Sequence, residues 1–372
     1  MSFSFEFSGD DIDADTTNDS VREHLQHQHP QPAGKASAFP IQGKPQLPPI
    51  EHDLKTMLFR MPSKIAYSML DITLDSGETI QLPRRELWDV RVQLMAEEED
   101  GIAHLGEGLG DRDVKTGVYE GGFKSWESSV DLVKALAAQS HLASYLNSSV
   151  RIIELGCGTS LPSLAMFQWA MSLQSSSSSN QQCSFFLADY NPSVLHLVTL
   201  PNFILTWALY HRQSLTELQD AFSLEGELEL TPSILEGFET YLCTHGMNLL
   251  FLSGGWSAEF IQLLYSTSSH LAGALPELSP VSILLGAETI YSPFALQAFT
   301  EAVLAILERE KVVFGSQASA WVAAKRLYFG VGGSLDDFVE KIQKGGTIVT
   351  RIREEADGVR RGVVRCMLAP VE

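Results

Sequence analysis

Three carboxylates and a pair of glycines carry the chemistry that this sequence offers. Residues 151–160 read RIIELGCGTS. Val150, Ile152, Ile153 and Leu155 predict a short buried strand, and Gly156 and Gly158 then supply a turn that no side chain obstructs. Thr159 or Ser160 can cap the helix that follows, and Pro162 suits its first turn, where no amide hydrogen is required. Strand, glycine turn and helix N-terminus together make a cradle for a cofactor. Glu154 stands just before the first glycine. Asp189, in FFLADYN, ends the next predicted strand, where a carboxylate can accept hydrogen bonds from both hydroxyls of an adenosine ribose. The alternative there is a plain strand-end cap built from Asp189, Tyr190, Asn191 and Pro192. Glu288 and Tyr291 form an E-x-x-Y set after a later strand, in GAETIYSP.

The glycine pattern is G-x-G-x-S, not G-x-G-x-x-G, and a lone glycine turn is weak support for any one cofactor. Asp189 serves an adenosine ribose in several cofactors alike. Glu154 discriminates: an acidic residue beside the turn suits a cationic ligand and would repel a pyrophosphate. That tips the reading from a dinucleotide to S-adenosylmethionine, whose amino group and sulfonium are cations.

The elements that must position these residues follow from the rest of the chain. Its 372 residues allow one large domain with appendages or two ordinary ones, and the formal charge of −20 argues against a nucleic-acid surface and is compatible with a basic protein partner. Cys157, Cys183, Cys243 and Cys366 are scattered, with no CxxC, so neither zinc nor a disulfide framework is indicated and a reduced intracellular compartment is expected. The start, MSFSFEFSGDDIDADT, lacks the features of a secretory signal, and no run is expected to approach transmembrane length.

Residues 1–50 read as a disordered acidic tail. Phe3, Phe5 and Phe7 inside it alternate as in a strand or docking motif, and His24, His27 and His29 read as solvated rather than metal-binding. Residues 51–116 read as an N-terminal extension, with a strand pair turning at Ser76-Gly77 and a helix over RELWDVRVQLMAEEE. Residues 117–372 alternate strand and helix and predict a doubly wound α/β sheet, its last two strands an antiparallel hairpin at the edge. The charges at Glu308, Arg309, Glu310 and Lys311 read as a solvated helix face.

Several motifs fall at the carboxyl edge of that sheet, where ligands bind: GGFKSWESSVDLVKAL, SGGW (253–256), GAETIYSP (286–293) and AAKRLYFGVGGSLDDF (323–338). With ELGCGTSLPS, RRELWDV and DYNPSVLHLVTLPN they resemble the Rossmann-like seven-strand methyltransferases that modify non-histone proteins. More narrowly, the set is similar to the protein-histidine N-methyltransferases of the METTL eighteen/Hpm-one type. The likeness covers residues 117–372 well and the extension patchily. It implies that Trp126 and Glu127 lie over the methionine end of the cofactor, with Ser125, Ser128 and Ser129 also binding it. Glu154, Gly156 and Gly158 then form its loop, Asp189, Tyr190 and Asn191 its ribose side, and Gly255, Trp256 and Ala287 its remaining wall. Glu288 and Tyr291 become the acceptor-binding, catalytic pair. Trp126 and Trp256 could each be plain core instead, and the glycines of YFGVGGS a simple turn. Three positions depart from the family pattern: Ser128 for a usual Cys, Ala287 for a usual Ser, and Gly255 for an often acidic or serine position.

The resemblance implies methylation of the tele nitrogen of a histidine in a basic large-subunit ribosomal protein, L-three, by a monomer found in cytoplasm and nucleus. Neutral imidazole already carries its lone pair at pH 7, and Glu288 or Tyr291 could hold its second nitrogen. A lysine methyltransferase on the same scaffold is the first rival. A nucleic-acid amino-methyltransferase lacks its NPPY-type tetrad here; a catalytically silent binding module and an NAD oxidoreductase follow.

Overall fold

A computed structural model describes residues 40, 43–99, 121–139, 148–176, 182–272, 281–315, 317–328 and 333–370. The Phe3/Phe5/Phe7 run and the three tail histidines lie outside the described residues. The strands among them are β1 (Ile50–His52), β2 (Lys64–Thr73), β3 (Thr79–Arg85), β4 (Val150–Leu155), β5 (Cys183–Asp189), β6 (Glu227–Glu229), β7 (Met247–Ser253), β8 (Val281–Ala287), β9 (Gln317–Lys325), β10 (Thr347–Glu355) and β11 (Arg361–Leu368). The helices are α1 (Leu54–Phe59), α2 (Leu87–Glu99), α3 (Glu127–Ala138), α4 (Leu161–Ser176), α5 (Pro192–Val194), α6 (Leu200–His211), α7 (Thr216–Ala221), α8 (Pro232–Thr244), α9 (Ala258–Ala272), α10 (Pro293–Phe314) and α11 (Leu335–Lys344).

All six residues of β4 are buried, as a strand covered by helices on both faces requires. It is central in an eight-stranded sheet of order β1-β7-β5-β4-β8-β9-β11-β10. β7, β5, β4, β8 and β9 run parallel, and β11 and β10 add the expected antiparallel hairpin beside β9. The sheet is thus the expected Rossmann-like one with an added edge: β1 pairs antiparallel with β7, Ile50 opposite Ser253. The strand order reverses at β4, which opens the carboxyl-end crevice between the loops after β4 and β8.

A smaller sheet, β3-β2-β6, joins residues of the expected extension to the α/β body. Its hairpin turns at Ser76-Gly77, with Gly77 at φ 86°, where glycine carries no Cβ penalty. Its third strand, β6, comes from between α7 and α8. The main-chain N–H of Arg85 also donates to Asn202 Oδ1 on α6 at 2.8 Å. Extension and body therefore share backbone pairing.

Two expectations are corrected here. The stretch Pro192–His211 is, by length and composition, apolar enough to cross a membrane, yet 89% of its most apolar window is buried inside the fold. Leu200, Phe203, Ile204 and Trp207 spend that apolar surface on the core. Glu310 is no solvated charge either. It is fully buried on α10, paired with Arg151 of β4 at 2.9 Å and bonded by Ser282 Oγ and Tyr265 Oη. Charge pattern alone could not reveal this, because the cation that Glu310 needs lies 159 residues away on the central strand.

Candidate active site

The glycine loop is held from three sides. Gly156 and Gly158 take φ 66° and 51°, which side chains resist. A Cβ on Gly156 would meet Thr289 Cγ2 at 2.6 Å, and one on Gly158 would meet the Gly122 carbonyl at 3.0 Å. The second glycine of GGFKSWE, Gly122, is thereby explained, as its backbone lies against Gly158 and a Cβ there would meet Val194 at 2.8 Å. Between α5 and α6 a π turn, Leu195–Thr199, places Thr199 Oγ1 to donate to the Gly158 carbonyl at 2.7 Å. Asn202 Nδ2 donates to the Thr159 carbonyl at 3.0 Å. Thr199 and Asn202 escaped the sequence reading; the π turn that aims Thr199 has no composition signature.

Glu154 is buried behind this loop. One of its oxygens accepts from Ser160 Oγ at 2.9 Å, from Ser163 N at 3.3 Å and from Ser163 Oγ. The carboxylate, rather than Thr159 or Ser160, caps α4, and Ser160 reaches it from the unusual φ of 59°. Thr159 Oγ1 instead pairs with Ser125 Oγ at 2.9 Å. Burial pushes the Glu154 carboxyl up to about 7 against the pull of the serine donors. Asp189 is pushed up to about 6, again by burial first, while Gly158 N and Asn191 N donate to its two oxygens at 3.0 and 3.1 Å. The Tyr190 N–H bonds the same carboxylate, which still has accepting capacity to spare.

Tyr190 and Asn191 do structural tasks beside it. The Tyr190 hydroxyl accepts from Leu47 N at 3.0 Å, and Asn191 caps α5 through Ser193 N. Gly255 N donates to the Leu47 carbonyl at 2.9 Å, so residues 46–52 strap this edge of the crevice. A Cβ on Gly254 (φ 105°) would come within 2.3 Å of the Pro48 carbonyl, and only glycine admits so close an approach. Trp256 packs edge-on against Phe299 and lies about 3.6 Å from where a Gly156 Cβ would be.

At the other end of the loop, Glu288 follows β8 and Ala287. It continues the ladder through its N–H to the Ala323 carbonyl at 3.0 Å, then turns at φ 59°, a strained value for a side chain of its size. Ser128 Oγ, in the first turn of α3, donates to Oε1, and Tyr328 Oη, just beyond β9, donates to Oε2 at 2.5 Å. Burial raises the Glu288 carboxyl, opposed by these donors and by the charges of Lys325 and Arg361. Trp126 is not core: it is 41% exposed at the N-cap of α3, with Lys325 Nζ 5.5 Å from its ring centroid. Glu127 and Asp131 pair with Arg361 at 2.9 and 2.7 Å, and Ser129 is buried, its N–H on the Trp126 carbonyl. Tyr291 lies partly buried against the apolar side of the crevice. The hydroxyl that meets Glu288 belongs to Tyr328, a residue the sequence reading passed over within YFGVGGS.

The donor set fits a cationic, ribose-bearing cofactor on grounds internal to the fold. Trp256 Nε1 and Thr289 Oγ1 are buried and have no hydrogen-bond partner among the described residues, and both flank the glycine loop. Such buried groups call for a partner. Glu154 and Asp189, near the ends of β4 and β5, supply carboxylates on the same loop that a cation would ionise.

No family model matches the chain. It is similar to histidine protein methyltransferase 1 of Saccharomyces cerevisiae, 33% identical over 364 residues that cover 91% of this chain and 89% of the yeast protein. The chain belongs to the histidine protein methyltransferase 1 family. The Schizosaccharomyces pombe protein of the same name is 34% identical over 301 residues, covering 79% of this chain and 77% of its own. The homolog from Bos taurus is 27% identical and matches 69% of this chain and 56% of its own. Among solved structures, the N-terminal domain of human METTL16 in complex with SAH covers 65% of this chain and 70% of its own, at 11% identity and a TM-score of 0.32, too distant to add to the assignment. As a member of the histidine protein methyltransferase 1 family the chain is a methyltransferase enzyme, and that family is S-adenosylmethionine-dependent.

Proposed function

We propose that this chain transfers a methyl group from S-adenosylmethionine to the tele nitrogen of a histidine in a basic large-subunit ribosomal protein, L-three, acting as a monomer in cytoplasm and nucleus. The observation that carries the histidine reading is the Glu288 carboxylate: half-buried, beside the glycine loop, and fixed on both oxygens by Ser128 and Tyr328. The substrate protein, ring nitrogen and compartments rest on the family resemblance, and the net charge of −20 supports a basic partner by long-range steering.

The cofactor supplies an electrophilic methyl carbon on a sulfonium. Glu154 and Asp189, near the ends of β4 and β5, supply carboxylates that its cationic groups would keep ionised, and Ser128 at the start of α3 bonds Glu288. The acceptor imidazole, neutral at pH 7, offers its tele lone pair. With the cofactor bound, the nitrogen–carbon bond would form as the carbon–sulfur bond breaks, leaving its electron pair on sulfur. The ring becomes an imidazolium whose remaining proton sits on the pros nitrogen. Glu288 accepts a hydrogen bond from that N–H, fixing the tautomer beforehand and stabilising the cation as it forms. The proton is then lost to water.

Mass spectrometry of ribosomal proteins from cells lacking this chain tests the reading. Loss of one methyl-histidine, restored by the purified enzyme with the methyl donor, is expected. An unchanged methyl-histidine inventory, or methyl-lysine as the product, would sink it.

A further inference from the structure

We propose that Tyr328 and Ser128 are positioning residues for methyl transfer, clamping the Glu288 carboxylate so that each oxygen presents one remaining accepting position to the acceptor ring. This rests on the proposed function and names how that site is held. The clamp draws on three separate elements. Glu288 follows β8, Ser128 stands in the first turn of α3, and Tyr328 follows β9. Ser128 is fully buried and Tyr328 nearly so, so neither hydroxyl is free to trade its partner for bulk water. A carboxylate offers about four accepting positions, and the two hydroxyls use two of them.

The backbone supports the same role. A non-glycine residue at φ 59° persists where its surroundings over-determine it, and such strain gathers at functional sites. Glu288 is fixed at its N–H by the Ala323 carbonyl and at both side-chain oxygens by the clamp. The backbone on the far side of Tyr328 is fixed as well. Tyr328 N donates to the Gly333 carbonyl at 3.3 Å, and Gly333 lies so close to the Ile290 carbonyl (2.5 Å from a Cβ built there) that only glycine fits. The chain after β8 and the chain after β9 thus lock together around the carboxylate.

The charges facing Glu288 are Lys325 from β9 and Arg361 from β11, the latter shared with Glu127 and Asp131 of α3. Hydroxyl donors stabilise the ionised carboxylate, as those cations do. Removing one donor leaves the cations in place and makes Glu288 easier to protonate. A residue that merely filled space would leave that titration where it was.

The test compares wild type, Tyr328→Phe, Ser128→Ala and Glu288→Gln, singly and combined, in steady-state and single-turnover methylation of the whole substrate protein from pH 5.5 to 9. Thermal melts and calorimetric donor binding run alongside. Tyr328→Phe is expected to lower kcat roughly ten- to a hundred-fold, a loss typical of misplaced reacting groups, with KM and donor affinity within about two-fold. Its acid limb should move to higher pH, and Ser128→Ala should move it the same way. In the Glu288→Gln background either substitution should cost no more than about two-fold, because both act through the charge already removed. Equal losses in both backgrounds, or an unmoved acid limb in folded variants, would overturn the clamp while leaving histidine methylation standing. If Tyr328→Phe fails to fold, Ser128→Ala carries the same test. Wild type yielding no methyl-histidine at all would overturn the proposed function and the clamp with it.

Discussion

The main-chain N–H of Leu47 donates to the hydroxyl of Tyr190 across 3.0 Å, tying a segment from the N-terminal side to the residue that follows Asp189. The same Leu47 accepts from Gly255 through its carbonyl, and three residues later β1 joins the edge of the sheet. Side chains add to the seam: His52 Nε2 meets Ser253 Oγ at 2.8 Å and Thr267 Oγ1 donates to Glu51 at 2.7 Å. A segment expected to be tail thus walls the crevice beside Asp189.

Two truncations separate strap from tail. Starting the chain at residue 43 keeps every contact of the strap, and starting it at residue 53 removes them all. Several hydrogen bonds worth about 1 kcal/mol each are lost in the shorter chain, enough to lower Tm by roughly 5 °C or more. Donor affinity should fall with it. Equal melting temperatures and equal calorimetric affinities for the two chains would show that the strap only lies on the surface.

How much of this was legible in the sequence depends on how local the cause is. The glycine turn at Gly156 and Gly158, the carboxylate of Asp189 at a strand end and the alternation around them are written within a few residues, whereas the strand order, with β1 added at the edge, is not. Tyr328 was not legible as a partner of Glu288, since nothing within 40 residues signals that two loops meet. Glu154 is legible as a carboxylate suited to a cation, but nothing local connects it to its partners Ser160 and Ser163. Glu310 was misread for the same reason: a charged helix face looks the same whether a buried arginine waits opposite or not.

That misreading yields a stability prediction. Glu310→Ala leaves Arg151, Ser282 and Tyr265 without the anion they surround. Breaking a buried pair from one side typically costs about 3–5 kcal/mol. Denaturant unfolding should show a loss of that order, whereas Glu308→Ala, two residues away, should change little. A loss under about 1 kcal/mol at position 310 would mean that water replaces the carboxylate.

Asp189→Ala should weaken donor binding by on the order of 2–3 kcal/mol, through lost charge-assisted hydrogen bonds to the ribose and a loosened Gly158 amide. Calorimetry checks this, with NAD as the negative control. Unchanged affinity in a folded variant would place Asp189 outside the site, as a loop brace alone.

The raised carboxyls predict how stability and binding change with pH. For Glu154, near 7 in the fold against an ordinary 4.5, the folded chain keeps a proton that the unfolded chain has released. Its contribution to stability is therefore complete below about pH 4.5 and is lost as pH rises through 7. A shift of that size corresponds to on the order of 3 kcal/mol. The difference in Tm between wild type and Glu154→Gln isolates it: wild type should lose ground relative to the variant from pH 5 to 8. A cationic donor favours the ionised carboxylates, so its Kd should tighten over the same interval. A wild-type curve parallel to the variant's would place the proton elsewhere.

Glu288 sets the last expectation. Gln at this position keeps the shape and one accepting oxygen but removes the charge that faces the forming imidazolium. Electrostatic help of this kind is worth about 10²–10³ in rate, so Glu288→Gln should lose turnover by that factor while donor affinity stays near that of wild type. The pH profile separates the acceptors. Imidazole needs no deprotonation above about pH 7, so a histidine acceptor gives a plateau there; a lysine acceptor keeps gaining rate toward its own value near 10. Single-turnover rates from pH 6 to 10 on the whole substrate protein, with the product identified by mass, read both at once. A rate still climbing at pH 9 with methyl-lysine in the product would remove histidine as the acceptor. A plateau with Glu288→Gln as fast as wild type would keep the reaction and move the anion that serves it to another residue of the crevice.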